Sequence, residues 1–374
     1  MKIGIDAREI QKGVYTGIGR YLDNFITEFI NSTHTDSIVL FSELPISYQD
    51  PRLKNVIIKP GNTFIWDQIH LPSQLIREKV DLFFSPYYKI PIFAQCPTVS
   101  SILDLMYLTF PYYKNQSSVL NKIYFNTLGR LFVHKAKHIL TCSNYSKNDI
   151  QKIYNISSDK ISKIPLSLSP IYRPESDLNK INQIREKLNA PDGYIFYIGN
   201  FKPHKNIITL IKAFNLITKS FPKLKLILAG PQTHQYKMLK DLAEELQISD
   251  KVYFYGTVFE NSEPHLLYSA AKILVFPSYY EGFGLPLIEA MACHTPIIAA
   301  KCTSIPEVVK QAGILVEPYD IQGFAEAMRK LLSDDKLREK IIANGISYLP
   351  EYDPKTIFEK TYQIFINIIS AAKK

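Results

Sequence analysis

The sequence predicts an α/β protein of two domains, each built on a parallel sheet, and three observations carry that reading. Short apolar runs recur along the whole chain and alternate with amphipathic or loop stretches, the pattern of strands covered by helices. At 374 residues the chain exceeds one ordinary hydrophobic core, and its 46% of apolar residues can fill two. Pro165, Pro170 and Pro174 cluster near the middle as a linker would, which puts the boundary near residues 172–190.

In the first half, strand-like runs fall at Ile3–Asp6, Ile38–Phe41, Val56–Lys59, Leu82–Ser85, Thr98–Leu103 and His138–Ser143. After the first of them comes Tyr15-Thr-Gly-Ile-Gly-Arg-Tyr21, then a helix with Ile18, Leu22, Ile26 and Phe29 along one face. Gly17 and Gly19 precede that helix start, where glycines serve either tight packing or close approach to a phosphate; Arg20 either pairs with that phosphate or faces water. Asp104 stands at a strand's C-terminal end, where open α/β sheets place ligand contacts. From Pro111 to Lys137 the chain mixes aromatic, aliphatic and basic residues, among them Tyr112, Leu120, Lys122, Ile123, Tyr124, Leu131 and Lys135. Such a mixture either lies on an anionic bilayer or packs on the sheet with its basic face in water.

The second half repeats the alternation, with strands at Ile195–Gly199, Leu224–Ala229, Val252–Tyr255, Ile273–Phe276, Ile297–Ala299 and Ile314–Val316. At the end of the first of these, Gly199-Asn-Phe-Lys-Pro-His-Lys-Asn206 sets Lys202, His204 and Lys205 in one short loop, three groups able to neutralise a diphosphate. The richest stretch runs from Phe276 to Ala300 and reads as strand, glycine-broken turn, helix and strand. Gly282 and Gly284 let the backbone approach a ligand, and the unpaired N–H groups from Leu285 onward suit a phosphate. Glu281 stands at the mouth of the loop and Glu289 on the helix's second turn, so that two carboxylates flank one anion site. Ser304 and Glu307 read as helix-start residues. The tail carries Ile357, Phe358, Tyr362, Phe365, Ile366 and Ile369 at helical spacing.

The stretch Glu281-Gly-Phe-Gly-Leu-Pro-Leu-Ile-Glu289-Ala-Met-Ala-Cys resembles the E-x7-E signature of retaining glycosyltransferases of family 4. The resemblance extends over nearly the whole chain, through Gly17-Ile-Gly-Arg-Tyr21, Ser85-Pro-Tyr-Tyr88, Thr141-Cys-Ser-Asn-Tyr-Ser-Lys147, Lys205-Asn206 and Phe254-Tyr-Gly-Thr-Val258. It implies the GT-B fold, two Rossmann-like doubly wound parallel-sheet domains facing a central cleft. The expected division is residues 1–172 for the acceptor, 173–355 for the nucleotide-sugar and 356–374 as a helix crossing back to the first domain.

The resemblance also implies site residues. Lys205 is expected to stabilise the leaving diphosphate, Glu281 to hold the donor sugar's hydroxyls, Glu289 the ribose, and Asp104 a donor or acceptor sugar. Donor binding is expected to draw further on Gly17, Gly19, Asn200, Lys202, Gly256, Val258, Gly282, Phe283, Gly284 and Leu285. The chain departs from the family at Leu103, where many members carry histidine, and at Asn200 and His204, where arginine is common. The implied reaction moves a hexose, first of all mannose from GDP-mannose with UDP- or dTDP-sugars as alternatives, to a saccharide or lipid-linked oligosaccharide in surface polysaccharide synthesis.

Composition narrows the alternatives. The formal charge of +9 favours anionic partners and leaves nucleotide phosphates, anionic lipid and nucleic acid open; the resemblance implies the nucleotide-sugar and an anionic membrane surface, with no nucleic acid. Cys96, Cys142, Cys293 and Cys302 show neither zinc-site nor disulfide spacing, so a reducing cytoplasm is the expected setting, either free or, through the basic aromatic stretch, peripheral on the inner face of the membrane. No apolar run approaches the roughly 20 residues of a spanning helix. A nicotinamide oxidoreductase would open with G-x-G-x-x-G after a strand, and none is present. No D-x-D pair appears, so no obligatory divalent metal and no other cofactor is expected. A catalytically silent scaffold or nucleotide-binding protein of the same fold is the alternative, supported by Leu103 and opposed by Lys205, Glu281 and Glu289.

Overall fold

The computed structural model describes residues 1–10, 17–116, 125–232, 235–258 and 263–372. They form two compact units, residues 1–167 with 353–374, and residues 168–352. Each is a parallel sheet with helices.

The first sheet contains β1 (Lys2–Asp6), β2 (Ser37–Ser42), β3 (Leu53–Ile57), β4 (Leu82–Ser85), β5 (Thr98–Ser101), β6 (His138–Thr141) and β7 (Ile161–Lys163). Their spatial order is β3-β2-β1-β4-β5-β6-β7, and every pairing is parallel. Central strands read as unbroken apolar runs because both faces are covered: β4, Leu-Phe-Phe-Ser, is buried at every position. The two edges depart from the sequence reading for the complementary reason. β3 begins at Leu53 rather than Val56, because β2 fixes the register Ile38↔Leu53 to Ser42↔Ile57, and as a half-exposed edge it carries Lys54 and Asn55. β7, at the other edge, is three residues long, too short for an apolar run to mark it.

Helix α1 (Gly17–Asn31) turns Leu22, Phe25, Ile26 and Phe29 inward. The C-terminal helix (Pro354–Ala372) packs on it through Ile357, Phe358, Tyr362, Phe365 and Ile369. Phe25 lies 5.1 Å from Phe358 and 5.9 Å from Phe365, ring centroid to centroid, and Phe84 of β4 lies 5.2 Å from Phe365. Tyr362 donates its hydroxyl to Asp36.

The second sheet contains β8 (Tyr194–Ile198), β9 (Lys225–Ala229), β10 (Val252–Gly256), β11 (Ile273–Phe276), β12 (Ile297–Ala300) and β13 (Gly313–Val316), in the order β10-β9-β8-β11-β12-β13. It too is wholly parallel. Around it run α2 (Ile207–Asn215), α3 (Pro264–Ala270), α4 (Leu285–Ala292) and α5 (Ile305–Val309). In both sheets the strand order reverses beside the first strand, β1 against β4 and β8 against β11. That reversal defines a doubly wound sheet and opens a crevice beyond the carboxyl ends of the flanking strands.

Candidate active site

In the second unit the residues that follow β8 and β11 face this reversal point. Lys205 comes from the turn after β8 and Glu281 from the loop after β11, and their side chains meet: Nζ donates to Oε1 at 2.6 Å, with the side chains 13% and 12% exposed. The pair is therefore largely out of water. The Lys205 ammonium also stands 5.5 Å from the centroid of the Phe276 ring, a favourable electrostatic contact.

Three loops are laced together behind this pair. Asn206, in the left-handed region at φ 55°, donates through Nδ2 to the carbonyls of Pro277 (2.9 Å) and Pro318 (2.8 Å), joining the ends of β11 and β13 to the turn after β8. The Tyr279 N–H donates to the His204 carbonyl at 2.7 Å. Ser304, fully buried, donates from Oγ to the Glu281 carbonyl at 2.9 Å, and the Glu281 N–H donates to Thr303 Oγ1 at 3.1 Å. Ser304 stands at the start of α5, as its sequence context implies, and its hydroxyl, which makes no cap bond, fixes the backbone of Glu281 as well.

The cationic loop differs from the expectation. His204 is buried, and burial, reinforced by the charges of Lys205 and Lys202, lowers its imidazole to about 3. In this setting it is neutral at pH 7. Lys202 is half-buried and has no ion pair among the described residues, which leaves it as the second cation of the loop. Asn200 shapes that loop, accepting the Lys202 N–H on Oδ1 at 3.3 Å and the Tyr197 hydroxyl on its carbonyl at 2.9 Å.

Glu289 lies on α4, 3% exposed, and its Oε2 accepts the hydroxyl of fully buried Tyr268 at 2.5 Å. Burial, then the Glu289 charge, holds that phenol well above its ordinary range, so the proton stays on the tyrosine. The structure thus gives the two glutamates separate partners, Lys205 for Glu281 and Tyr268 for Glu289. Between them Gly282 and Phe283 are buried, and Gly284 enters α4 at φ +101°, a conformation costly for any residue with a Cβ. Leu285 is the first residue of α4.

Beyond β8, β9 and β10 the backbone forms a shelf. Gly230 donates its N–H to the Gly256 carbonyl at 2.7 Å, and a Cβ on Gly230 would stand 1.9 Å from the Gly199 carbonyl oxygen. Only glycine fits there. Val258 follows, half-buried.

In the first unit Asp104 and Leu103 line a cavity of about 380 Å³ with Ile18, Tyr87, Tyr88 and Tyr107. Asp104 Oδ1 accepts the Met106 N–H at 3.0 Å, and the Leu103 carbonyl accepts Ser146 Oγ at 2.8 Å. Gly17 and Gly19 lie inside the first turn of α1 rather than before it; Gly19 is buried, and it is Ile18 between them that reaches the cavity. Sequence reasoning missed a neighbouring cluster altogether. Arg8, just past β1, contacts Asp6 at 2.5 Å and Asp67 at 2.7 Å, with its guanidinium 3.7 Å from the centroid of Trp66. A π-helical turn, Trp66–His70, makes this possible by burying Trp66, Asp67 and Gln68 in succession. The residue types alone gave no signal, because Asp67 lies 59 positions from Arg8.

Of the basic aromatic stretch, Leu120, Lys122, Ile123 and Tyr124 lie outside the described residues, as do Tyr15 and Thr16. Within the described part Tyr112 is 39% and Leu131 44% exposed. No described helix is long and apolar enough to cross a membrane.

Two family models match the chain, "Glycosyltransferase Family 4" over residues 15–168 and "Glycosyl transferases group 1" over residues 180–348. Over 373 aligned positions the chain is 29% identical to O-antigen chain mannosyltransferase B of Escherichia coli, covering 94% of this chain and 96% of that protein. It is 32% identical to O-antigen chain mannosyltransferase RfbU of Salmonella typhimurium over 68% of this chain and 66% of that one. Among solved structures, sucrose-phosphate synthase from Thermosynechococcus elongatus superposes with a TM-score of 0.81 over 99% of both chains, at 19% identity, a likeness of fold.

Proposed function

The chain belongs to the family 4 glycosyltransferases, of GT-B fold, and on that premise we propose that it moves mannose from GDP-mannose, with retention, to a saccharide or lipid-linked saccharide in surface polysaccharide synthesis. A hexose, a nucleotide-sugar donor and a saccharide acceptor follow from the family and from relatives named as O-antigen mannosyltransferases; mannose and GDP are our narrower reading. The observation that carries it is the Lys205–Glu281 pair at the strand reversal of the second sheet, backed by a glycine shelf and a helix start.

The chemistry assigns each group a task. As the bond from the sugar's anomeric carbon to the diphosphate oxygen breaks, negative charge gathers on the leaving group and must be met by pre-placed donors. Lys205 and Lys202 supply cations, and the N–H groups at Gly284–Leu285 a helix start. The acceptor hydroxyl attacks from the same face and its proton passes to the departing diphosphate oxygen, so no side chain is needed as nucleophile. Glu281 takes donor hydroxyls while holding Lys205, and Glu289, whose carboxylate Tyr268 orients, takes the ribose. Backbone groups at Gly256 and Val258 read the base, and Asp104 in the first unit takes a hydroxyl of a sugar. The first unit thereby serves the reacting sugar of the acceptor and the second the donor, with the exposed Tyr112 and Leu131 supporting contact with the inner face of an anionic membrane.

A panel of nucleoside diphosphates tested by thermal shift addresses this directly, since a ligand of the folded state raises Tm by mass action. GDP should stabilise the protein, and Lys205→Ala and Glu289→Ala should each abolish the shift. Stabilisation by UDP or dTDP instead would transfer the proposal to that donor, and no shift with any of them would favour a silent scaffold.

A further inference from the structure

The aromatic pair Tyr279 and Tyr319 is not accounted for by the roles above. Their rings stack at 4.6 Å between centroids and 29° between planes, and Tyr319 is 76% exposed, so one face rests on Tyr279 and the other meets water. A single exposed aromatic ring is commonplace. Here three further observations set the pair apart.

The first is place. Tyr279 and Glu281 flank the buried Tyr280 in the loop after β11, and Tyr319 follows β13. Across the sheet order β10-β9-β8-β11-β12-β13, the glycine shelf occupies one side of the Lys205–Glu281 pair and the tyrosines the other. The second is fixation. The Asn206 side chain that positions the turn behind Lys205 also holds the carbonyl of Pro318, directly before Tyr319. On the far side Asp320 Oδ1 accepts the Gly323 N–H at 2.8 Å, and the Tyr279 N–H is held by the His204 carbonyl. The third is composition: the exposed Tyr319 ring carries its hydroxyl at the rim, so the surface joins an apolar face to a polar edge. A pyranose ring, with C–H groups on its faces and hydroxyls at its edge, matches that division, and a rigid ring loses little freedom on binding.

We propose that Tyr319, backed by Tyr279, is a saccharide-binding platform that holds a sugar unit of the acceptor beyond the one that reacts. The assignment rests on the reading of this chain as a transferase with a saccharide acceptor, and deepens it by naming a subsite for a chain rather than a monosaccharide. It predicts that the enzyme prefers acceptors at least two or three sugars long.

The test uses the full-length protein with saturating GDP and a set of α-linked trisaccharide probes, mannotriose first, with binding read by saturation-transfer NMR. Tyr319→Ala should weaken trisaccharide binding roughly threefold to tenfold, the worth of one aromatic contact. Tyr319→Phe and Tyr319→Trp should retain it, and the matching monosaccharide should bind wild type and Tyr319→Ala alike. The thermal shift produced by GDP should be the same in all four proteins. Equal trisaccharide affinity in wild type and Tyr319→Ala would overturn the platform, as would a wild type that binds GDP but no trisaccharide of the set. A GDP shift lost in Tyr319→Ala would also overturn it by assigning the ring to the donor. Failure of every nucleotide to stabilise wild type is a different result, and strikes the transferase reading itself.

Discussion

Breaking the Lys205–Glu281 pair should separate stability from catalysis. At 2.6 Å the gross Coulomb attraction is about 6 kcal/mol with an effective dielectric of about 20, and desolvation of two nearly buried charges takes back most of it. Removing one partner is a different operation, because it strands the other charge. For fully buried pairs that costs about 3–5 kcal/mol; one-eighth exposure reduces it to about 2–3 kcal/mol. Lys205→Met and Glu281→Gln should therefore each lower the Tm of the second unit by roughly 4–12 °C, at about 2–4 °C per kcal/mol for a domain of this size. The double variant strands nothing and should return to within about 1 kcal/mol of wild type, while transfer stays at least about a hundredfold down in all three, as when a charge-stabilising donor is removed. Calorimetry and an initial-rate transfer assay on the same preparations decide it. A double variant no more stable than the singles would refute the ion-pair account, and wild-type turnover in Lys205→Met would refute the role in catalysis.

Tyr268→Phe removes the hydroxyl that Glu289 accepts in a fully buried setting, and should cost about 1.5–3 kcal/mol, read as a Tm loss of roughly 3–12 °C together with weaker nucleoside diphosphate binding. Gly230→Ala, which drives a Cβ to 1.9 Å from the Gly199 carbonyl, should leave little soluble folded protein, whereas Gly17→Ala, with open space around its Cβ, should leave Tm unchanged or slightly raised. Burial depresses His204 to about 3 from an unfolded value near 6.5, so the unfolded chain binds the extra proton between those values. The stability it contributes is complete above about pH 6.5 and falls below it by up to about 1.4 kcal/mol per pH unit; His204→Gln should flatten the Tm profile between pH 6.5 and 5.

The parts of the fold legible in the sequence were those whose signal is local. Strands buried on both faces, such as Ile273–Phe276 and Ile297–Ala300, announce themselves as apolar runs, and the loop between them carries its own glycine punctuation. The edge strands β3 and β7 were harder to read because an edge needs little apolar content: Lys54 is exposed, the Asn55 amide donates to the Leu40 carbonyl and Ser42 Oγ of β2, and Ile-Ser-Lys is too short to show a period. The site divides in the same way. Lys205, Glu281 and Glu289 stood out by motif and spacing, but their partners did not, since Lys205 meets Glu281 across 76 positions and Glu289 meets Tyr268 across 21. Charge was misread for one physical reason. His204 looks cationic in a Lys-Pro-His-Lys run, and only its burial makes it neutral. Ser304 and Asn206 are ordinary turn residues by type, and their work in holding backbone carbonyls of other loops exists only in three dimensions.

The C-terminal helix belongs to the unit whose strands are made first. The intervening residues 168–352 leave and return at one point, where the Leu168 N–H donates to the Tyr352 carbonyl at 2.9 Å. During synthesis the first sheet therefore emerges complete in its strands, yet Phe25, Phe29 and Phe84 must wait for Phe358, Tyr362 and Phe365 until residues 168–352 have been made. The nineteen-residue helix acts as a lock that closes late, so a chain cut off before Pro354 would leave an aromatic surface open on the first unit, with aggregation rather than a trimmed enzyme as the outcome.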